Sequence, residues 1–243
     1  MLEVRSVSAG YGALRILDDV SLNATEGEVT VIVGPNGSGK STLLKTIAGL
    51  TNLYNGEVVL EDVKISDLPP HLIARSGLAY LPQTESVFVQ LTVEENIRMA
   101  AYSVNQTDYS ARLASSLQMF PQIQSYMKSK VQNLSGGERQ MVAMIMAMMR
   151  EPKVIMFDEP TANLSPKLAT LVLDTVKSLA KQRKLTVLLV EQNARKALQM
   201  GDRAYLLVSG RKAFEGDCNE LLSHRELGQL YLGLSAEDLS KRS

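Results

Sequence analysis

Apolar residues run along this chain first in short blocks and later in helix-length stretches. Glu28-Val-Thr-Val-Ile-Val33 is a β-branched block stopped by Gly34-Pro35-Asn36-Gly37, which predicts a buried strand entering a loop. Gly56–Glu61 and Leu78–Leu81 are further strand candidates, so the first third reads as strands joined by turns. From Thr92 to about Lys130 the pattern becomes helical. Thr92 and Glu95 have capping-box spacing, and Gln106-Thr107-Asp108 is expected to break the segment in two. An alternation follows: a helix from about Gly136 to Met149, a strand at Val154–Asp158 and a helix near Lys167–Gln182. A strand at Thr186–Val190, a helix near Ala194–Met200 and a strand at Ala204–Val208 complete it. That order predicts a parallel sheet covered by helices. The residues from Glu220 onward read as a short helical tail.

The helix after Ser135 carries Met141, Met144, Met146, Met148 and Met149. Such a stretch suits a metal site or an adaptable binding surface, but core packing is the better reading. The purely apolar run Met141–Met149 falls far short of the roughly 18–20 residues that span a bilayer. The first residues lack the apolar block of a signal peptide, so a chain that does not insert into the membrane is expected. With 26 basic and 26 acidic residues in 243, the net charge is zero, which argues against broad adhesion to nucleic acid or anionic lipid. The single cysteine, Cys218, can form no internal disulfide, which points to a reducing compartment.

Gly34-Pro35-Asn36-Gly37-Ser38-Gly39-Lys40-Ser41-Thr42 fits G-x-x-x-x-G-K-[ST] between a strand and a helix. Its glycines let successive N–H groups converge on phosphate oxygens, and the helix N-terminus adds its positive dipole end. Lys40 would reach the β- and γ-phosphates and the Ser41 hydroxyl would ligate Mg²⁺. Val154-Ile-Met-Phe-Asp158-Glu159 is an apolar strand ending in two carboxylates. Asp158 is placed to hold Mg²⁺ through water, and Glu159 to act as a general base on the attacking water.

Leu134-Ser135-Gly136-Gly137-Glu138-Arg139-Gln140, taken alone, is a capped helix start with room for an anion. It stands about twenty residues before the acidic strand, and with that spacing the chain resembles the nucleotide-binding subunit of an ATP-binding cassette (ABC) transporter. The resemblance covers nearly the whole chain. It implies a P-loop NTPase (RecA-like) α/β core with an antiparallel β subdomain and an α-helical subdomain inserted at about 84–150. The whole of 1–243 would be one nucleotide-binding domain with a helical tail at about 220–243. Tyr11, by itself an ordinary turn aromatic, matches the residue that stacks on adenine, and Gln83 in Leu81-Pro82-Gln83 matches the glutamine that touches Mg²⁺. Two chains would pair head to tail, so that Ser135, Gly136 and Gly137 act across the interface on the partner's ATP.

Two positions depart from the family pattern. Glu191-Gln192-Asn193 carries Gln192 where most members have a histidine, and His71 and His224 lie elsewhere. An amide can position a phosphate but cannot carry a proton, which leaves the base role to Glu159. In Ala162-Asn163-Leu164-Ser165 the usual aspartate of the dimer-facing loop is Ser165. Together with Val190–Arg195, Pro166 and Tyr231-Leu232-Gly233, these departures resemble the ATPases of branched-chain amino-acid importers, with urea and short-chain amide importers close by.

The resemblance implies an ATPase on the cytoplasmic face of the membrane, driving uptake through a separate permease fed by a solute-binding protein. Its partner would be a second ATPase subunit, identical or related. Phe88 and Leu91–Glu95 would face the permease. A soluble ABC ATPase serving cofactor assembly is the competing class. Repair types carry a long coiled-coil insertion, which the roughly ninety residues between Thr42 and Ser135 exclude, and translation types carry two cassettes. A P-loop kinase or GTPase would leave Leu134–Gln140 unexplained.

Overall fold

The computed structural model describes residues 1–224 except Glu85 and Ser103, together with Glu226. The chain opens with β1 (Leu2–Tyr11) and β2 (Leu14–Ala24), paired antiparallel from Leu2 opposite Ala24 to Tyr11 opposite Leu14. Then come β3 (Val29–Val33) and α1 (Lys40–Ile47), before β4 (Asn52–Leu60) and β5 (Val63–Lys64) return to the first sheet. Its order is β2-β1-β4-β5. The register of β1 shifts between Val4 and Val7, where Ser6 has a left-handed φ of +46°. This irregularity breaks the polar–apolar alternation and hides β1 and β2 from a pattern reading.

The second half supplies α2 (Pro70–Arg75), β6 (Leu78–Leu81), α3 (Val93–Ala100), α4 (Gln106–Leu117), α5 (Gly136–Met148) and β7 (Val154–Asp158). After them come α6 (Pro166–Arg183), β8 (Thr186–Val190), α7 (Ala194–Met200), β9 (Arg203–Val208), β10 (Arg211–Asp217) and α8 (Cys218–Ser223). The second sheet has the order β10-β9-β3-β8-β7-β6, and all its pairs are parallel except β10 with β9. Gln106-Thr107-Asp108 does not break a helix but starts one, with Asn105 as the N-cap. The interruption lies earlier, at the Ala101 cap of α3, because a short polar run is as suited to a helix's first turn as to a loop. Of the expected tail, α8 covers the first part, and Tyr231-Leu232-Gly233 lies outside the described residues.

The central strands are buried on both faces, which is why they read as continuous apolar runs. Val31, Ile155, Phe157, Val187 and Leu189 face α5, α6 and α7 in one core. Ile32, Val154, Met156, Leu188 and Val190 face α1 and the antiparallel sheet in another. Met141, Met144, Met148 and Met149 are buried in the first core, so the methionines of α5 are packing residues. The buried Tyr205 joins the two sheets: its hydroxyl accepts from the Asn23 amide (3.0 Å) and donates to Glu215 (3.0 Å), which also pairs with Arg203 and Lys212.

Asn96 is fully buried on the helical side. Its Oδ1 accepts from the Phe88 amide (2.7 Å), and its Nδ2 donates to the carbonyls of Phe88 and Thr92 (both 2.9 Å). The side chain thereby fixes the loop that leaves the Phe88 ring about half exposed.

Candidate functional site

Ile32, Val190 and Asp158 lie side by side across β3, β8 and β7, so these strands end level along one edge of the sheet. The crevice beyond the carboxyl ends of parallel strands is where such folds place their ligands. Four chain segments meet there: the loop after β3, Gln83 after β6, Asp158-Glu159 at the end of β7, and Glu191-Gln192 after β8.

The loop Gly34–Gly39 is curled by left-handed φ angles at Gly37 (+77°) and Gly39 (+100°). At Gly34 a Cβ would stand 2.0 Å from the Leu207 carbonyl oxygen, so only glycine allows the loop to leave β3 there. The Lys40 side chain folds back, and its Nζ donates to the carbonyls of Gly34 (2.9 Å) and Pro35 (3.0 Å). Burial lowers its pKa, while the charges of Glu159 and Asp158 pull the other way. The loop is a fitting cradle for an anion. Lys40 is a buried cation spent on two neutral carbonyls, and the Ser38 Oγ is buried without a hydrogen-bond partner. A phosphate would supply the counter-charge that Lys40 lacks and an acceptor for the Ser38 hydroxyl.

The Asp158 carboxylate is held at both oxygens. Ser41 Oγ donates to Oδ1 at 2.8 Å, and the Tyr80 hydroxyl donates to Oδ2 at 3.0 Å. Burial and the adjoining Asp158 charge push the Tyr80 phenol above its ordinary pKa, so it stays a donor at neutral pH. Nothing at position 80 marks Tyr80 as a site residue in the sequence, because its role depends on β6 lying beside β7. Among the described residues no cluster of three or more His, Cys, Asp or Glu side chains could hold a metal. The donors present are the hydroxyl of Ser41, the carboxylate of Asp158 and the amide of Gln83. That set suits a Mg²⁺ ion whose remaining ligands are phosphate oxygens and water.

Glu159 adopts a left-handed φ of +49°. Its amide donates to the Val190 carbonyl (2.9 Å), and its Oε2 accepts from Gln83 Nε2 (2.9 Å). Gln192 is exposed and lines, with Glu159, Thr161, Glu191 and Asn193, a cleft of about 560 Å³. Tyr11 ends β1 and is 44% exposed.

Ser135 caps α5 in a complete capping box with Glu138. A Cβ on Gly136 would stand 3.3 Å from Leu164 Cδ2, and one on Gly137 only 2.9 Å from Leu168 Cδ1. The contacts of these glycines are thus with the loop and helix that follow Glu159 in the same chain. Ser165 serves as the N-cap of α6, accepting from the Leu168 amide (3.5 Å), a task open to aspartate and serine alike.

Residues 17–162 match the ABC transporter family. Over 234 residues the chain is 50% identical to the Archaeoglobus fulgidus protein named "Probable branched-chain amino acid transport ATP-binding protein LivF", spanning 96% of this chain and 99% of that one. An ATP-binding cassette of an ABC transporter, solved in its ADP conformation, superposes with a TM-score of 0.85. It is 27% identical, over 94% of this chain and 97% of its own. A dimeric cassette in a post-hydrolysis state, bound to ADP and Pi, superposes with a TM-score of 0.79. It too is 27% identical, over 90% of this chain and 99% of its own.

Proposed function

The chain belongs to the ABC transporter family as an ATP-hydrolysing subunit, and from that premise we propose that it powers uptake of branched-chain amino acids through a separate permease. The observation that carries the nucleotide chemistry is the Ser41–Asp158 hydrogen bond of 2.8 Å, which brings the phosphate loop and the acidic strand end onto one ion's worth of space. Relatives' names support the solute class, and the dimeric cassette supports pairing of two ATPase subunits.

In this reading Tyr11 stacks on adenine, the loop amides from Gly34 to Thr42 and Lys40 hold the phosphates, and Ser41, Gln83 and Asp158 hold Mg²⁺. An ion held there would neutralise charge developing on the phosphoryl oxygens. Glu159 takes the proton of the attacking water, and Gln192 donates its amide to the γ-phosphate. Ser135, Gly136 and Gly137 bind the partner subunit's nucleotide across a head-to-tail pair.

No described helix is long and apolar enough to cross a membrane. In the proposed complex the subunit docks, on the cytoplasmic side, against permease loops. A groove of about 370 Å³ between α2, β6 and α5 lies beside the exposed Phe88 loop and is the docking surface. A solute-binding protein delivers the amino acid on the far side. Purifying the chain from its native membrane with its permease, reconstituting the complex in vesicles and measuring ATP-driven leucine uptake tests the assignment. Leucine uptake that tracks ATP hydrolysis supports it; a complex that hydrolyses ATP while ignoring leucine, isoleucine and valine overturns it.

A further inference from the structure

Glu191 follows β8 directly and is 4% exposed, although the hydrolytic reading gives it no task. Its Oε1 accepts the Thr161 amide at 3.0 Å, across 30 residues of chain. One step earlier the Glu159 amide donates to Val190, so the turn 159–161 is tied to the end of β8 at two consecutive points. One tie is backbone to backbone and indifferent to sequence. The other depends on the side chain at 191.

The turn needs that second tie. Glu159 holds a left-handed backbone conformation that a residue with a Cβ adopts only under constraint from its surroundings. The amide of Ala162 closes back on the Glu159 carbonyl (3.1 Å), and that of Leu164 on Thr161 (3.2 Å), so the turn is internally stiff. A tie at Thr161 is therefore felt at Glu159. A buried carboxylate is costly, and burial does push the Glu191 carboxyl above its ordinary pKa, against hydrogen bonds from Thr161 and the Gln192 amide that favour the charged form.

We propose that Glu191 is a positioning residue for ATP hydrolysis: through the Thr161 amide it holds the Glu159 carboxylate where the attacking water is met. This rests on Glu159 being the general base.

The test uses steady-state kinetics of the full chain with Glu191→Ala, Glu191→Asp and Glu191→Gln. Glu191→Asp keeps the charge but withdraws the carboxylate by one methylene, and it serves if the alanine variant does not fold. Loss of the bond lowers kcat about tenfold in the Ala and Asp variants, with KM for ATP held within about twofold. Glu191→Gln keeps an acceptor in reach and recovers most of kcat. On a Glu159→Gln background, Glu191→Ala adds no further loss. Wild-type kcat in the Asp variant, a rise in KM that matches the fall in kcat, or Gln as slow as Asp overturns the proposal. Active Glu159→Gln would instead overturn the base reading, whereas inactive Glu159→Gln beside fully active Glu191→Asp overturns this inference alone.

Discussion

Gln83 donates its side-chain amide to the Glu159 carboxylate at 2.9 Å. The two residues are 76 positions apart and stand at the ends of the adjacent strands β6 and β7. An amide has two ends, so Gln83 can present its oxygen to a cation while its nitrogen holds the carboxylate. On the proposed reading, the residue that would touch the ion is the one that touches the base. Whatever moves the loop after Gln83 moves a contact of the hydrolytic site.

Glu159→Gln removes the proton acceptor while keeping the shape. It should lower kcat by about a hundredfold or more, the usual scale of general-base loss, and leave a stable ATP-bound dimer detectable by size-exclusion chromatography. Gln192→Ala should slow hydrolysis by a smaller factor, because it loses one hydrogen bond and no proton transfer. Gln192→Ala slower than Glu159→Gln would reverse the two roles.

Lys40→Ala deletes the one buried cation of the phosphate loop. ATP affinity should fall about tenfold or more in calorimetric titration, as expected for a charge-assisted phosphate contact. Unchanged affinity would contradict the phosphate-loop reading.

Tyr80→Phe takes one donor from Asp158 and leaves the packing of β6 intact. Residues that orient a metal ligand change affinity by about 10–100-fold, so the Mg²⁺ concentration for half-maximal ATPase should rise about tenfold. Nucleotide binding without Mg²⁺ should stay the same. A Mg²⁺ curve identical to wild type would show that Ser41 alone orients the carboxylate.

Asn96→Ala leaves the Phe88 amide without its side-chain acceptor and the carbonyls of Phe88 and Thr92 without the Asn96 donor. Stability should drop by about 2 kcal/mol in urea unfolding. ATPase of the isolated chain should stay within about twofold, while stimulation by the permease should be lost, because the Phe88 loop no longer has one shape. Full stimulation would remove that loop from the docking surface.

Glu215 titrates far from the nucleotide. Burial alone would raise its pKa, but hydrogen bonds from Lys212, Arg203 and Tyr205 bring it down from 4.5 to about 2. A depressed carboxylate contributes stability above its unfolded pKa and loses it as the pH falls through the folded value. Glu215→Gln should therefore be less stable than wild type by about 1 kcal/mol at pH 7, and the difference should shrink between pH 4.5 and pH 2. Denaturant midpoints across that range measure it; a constant difference would mean that packing, not charge, is lost.

The parallel strands were legible in the sequence because burial on both faces makes them apolar without alternation, as in Val154–Phe157. The phosphate loop was legible because its chemistry is contiguous. β1 and β2 were blurred by the bulge at Ser6, and α4 was misread because Gln106-Thr107-Asp108 is ambiguous between a loop and a first turn. Tyr80, Glu191 and Asn96 carry no local signature. Each acts through a partner that only the fold brings near: Asp158 from the next strand, Thr161 from the next loop, and Phe88 from eight residues back.

Gly136 and Gly137 are crowded by Leu164 and Leu168, which lie just downstream of Glu159. In the proposed head-to-tail pair those glycines would face the neighbour's nucleotide, while Leu164 lies in the loop that follows the chain's own Glu159 turn and Leu168 in the first turn of α6. A shift of that turn after hydrolysis would be transmitted by steric contact, over a few ångströms, to the surface gripping the other ATP. The two sites of such a pair could not fire as independent engines, and their turnover would be phased.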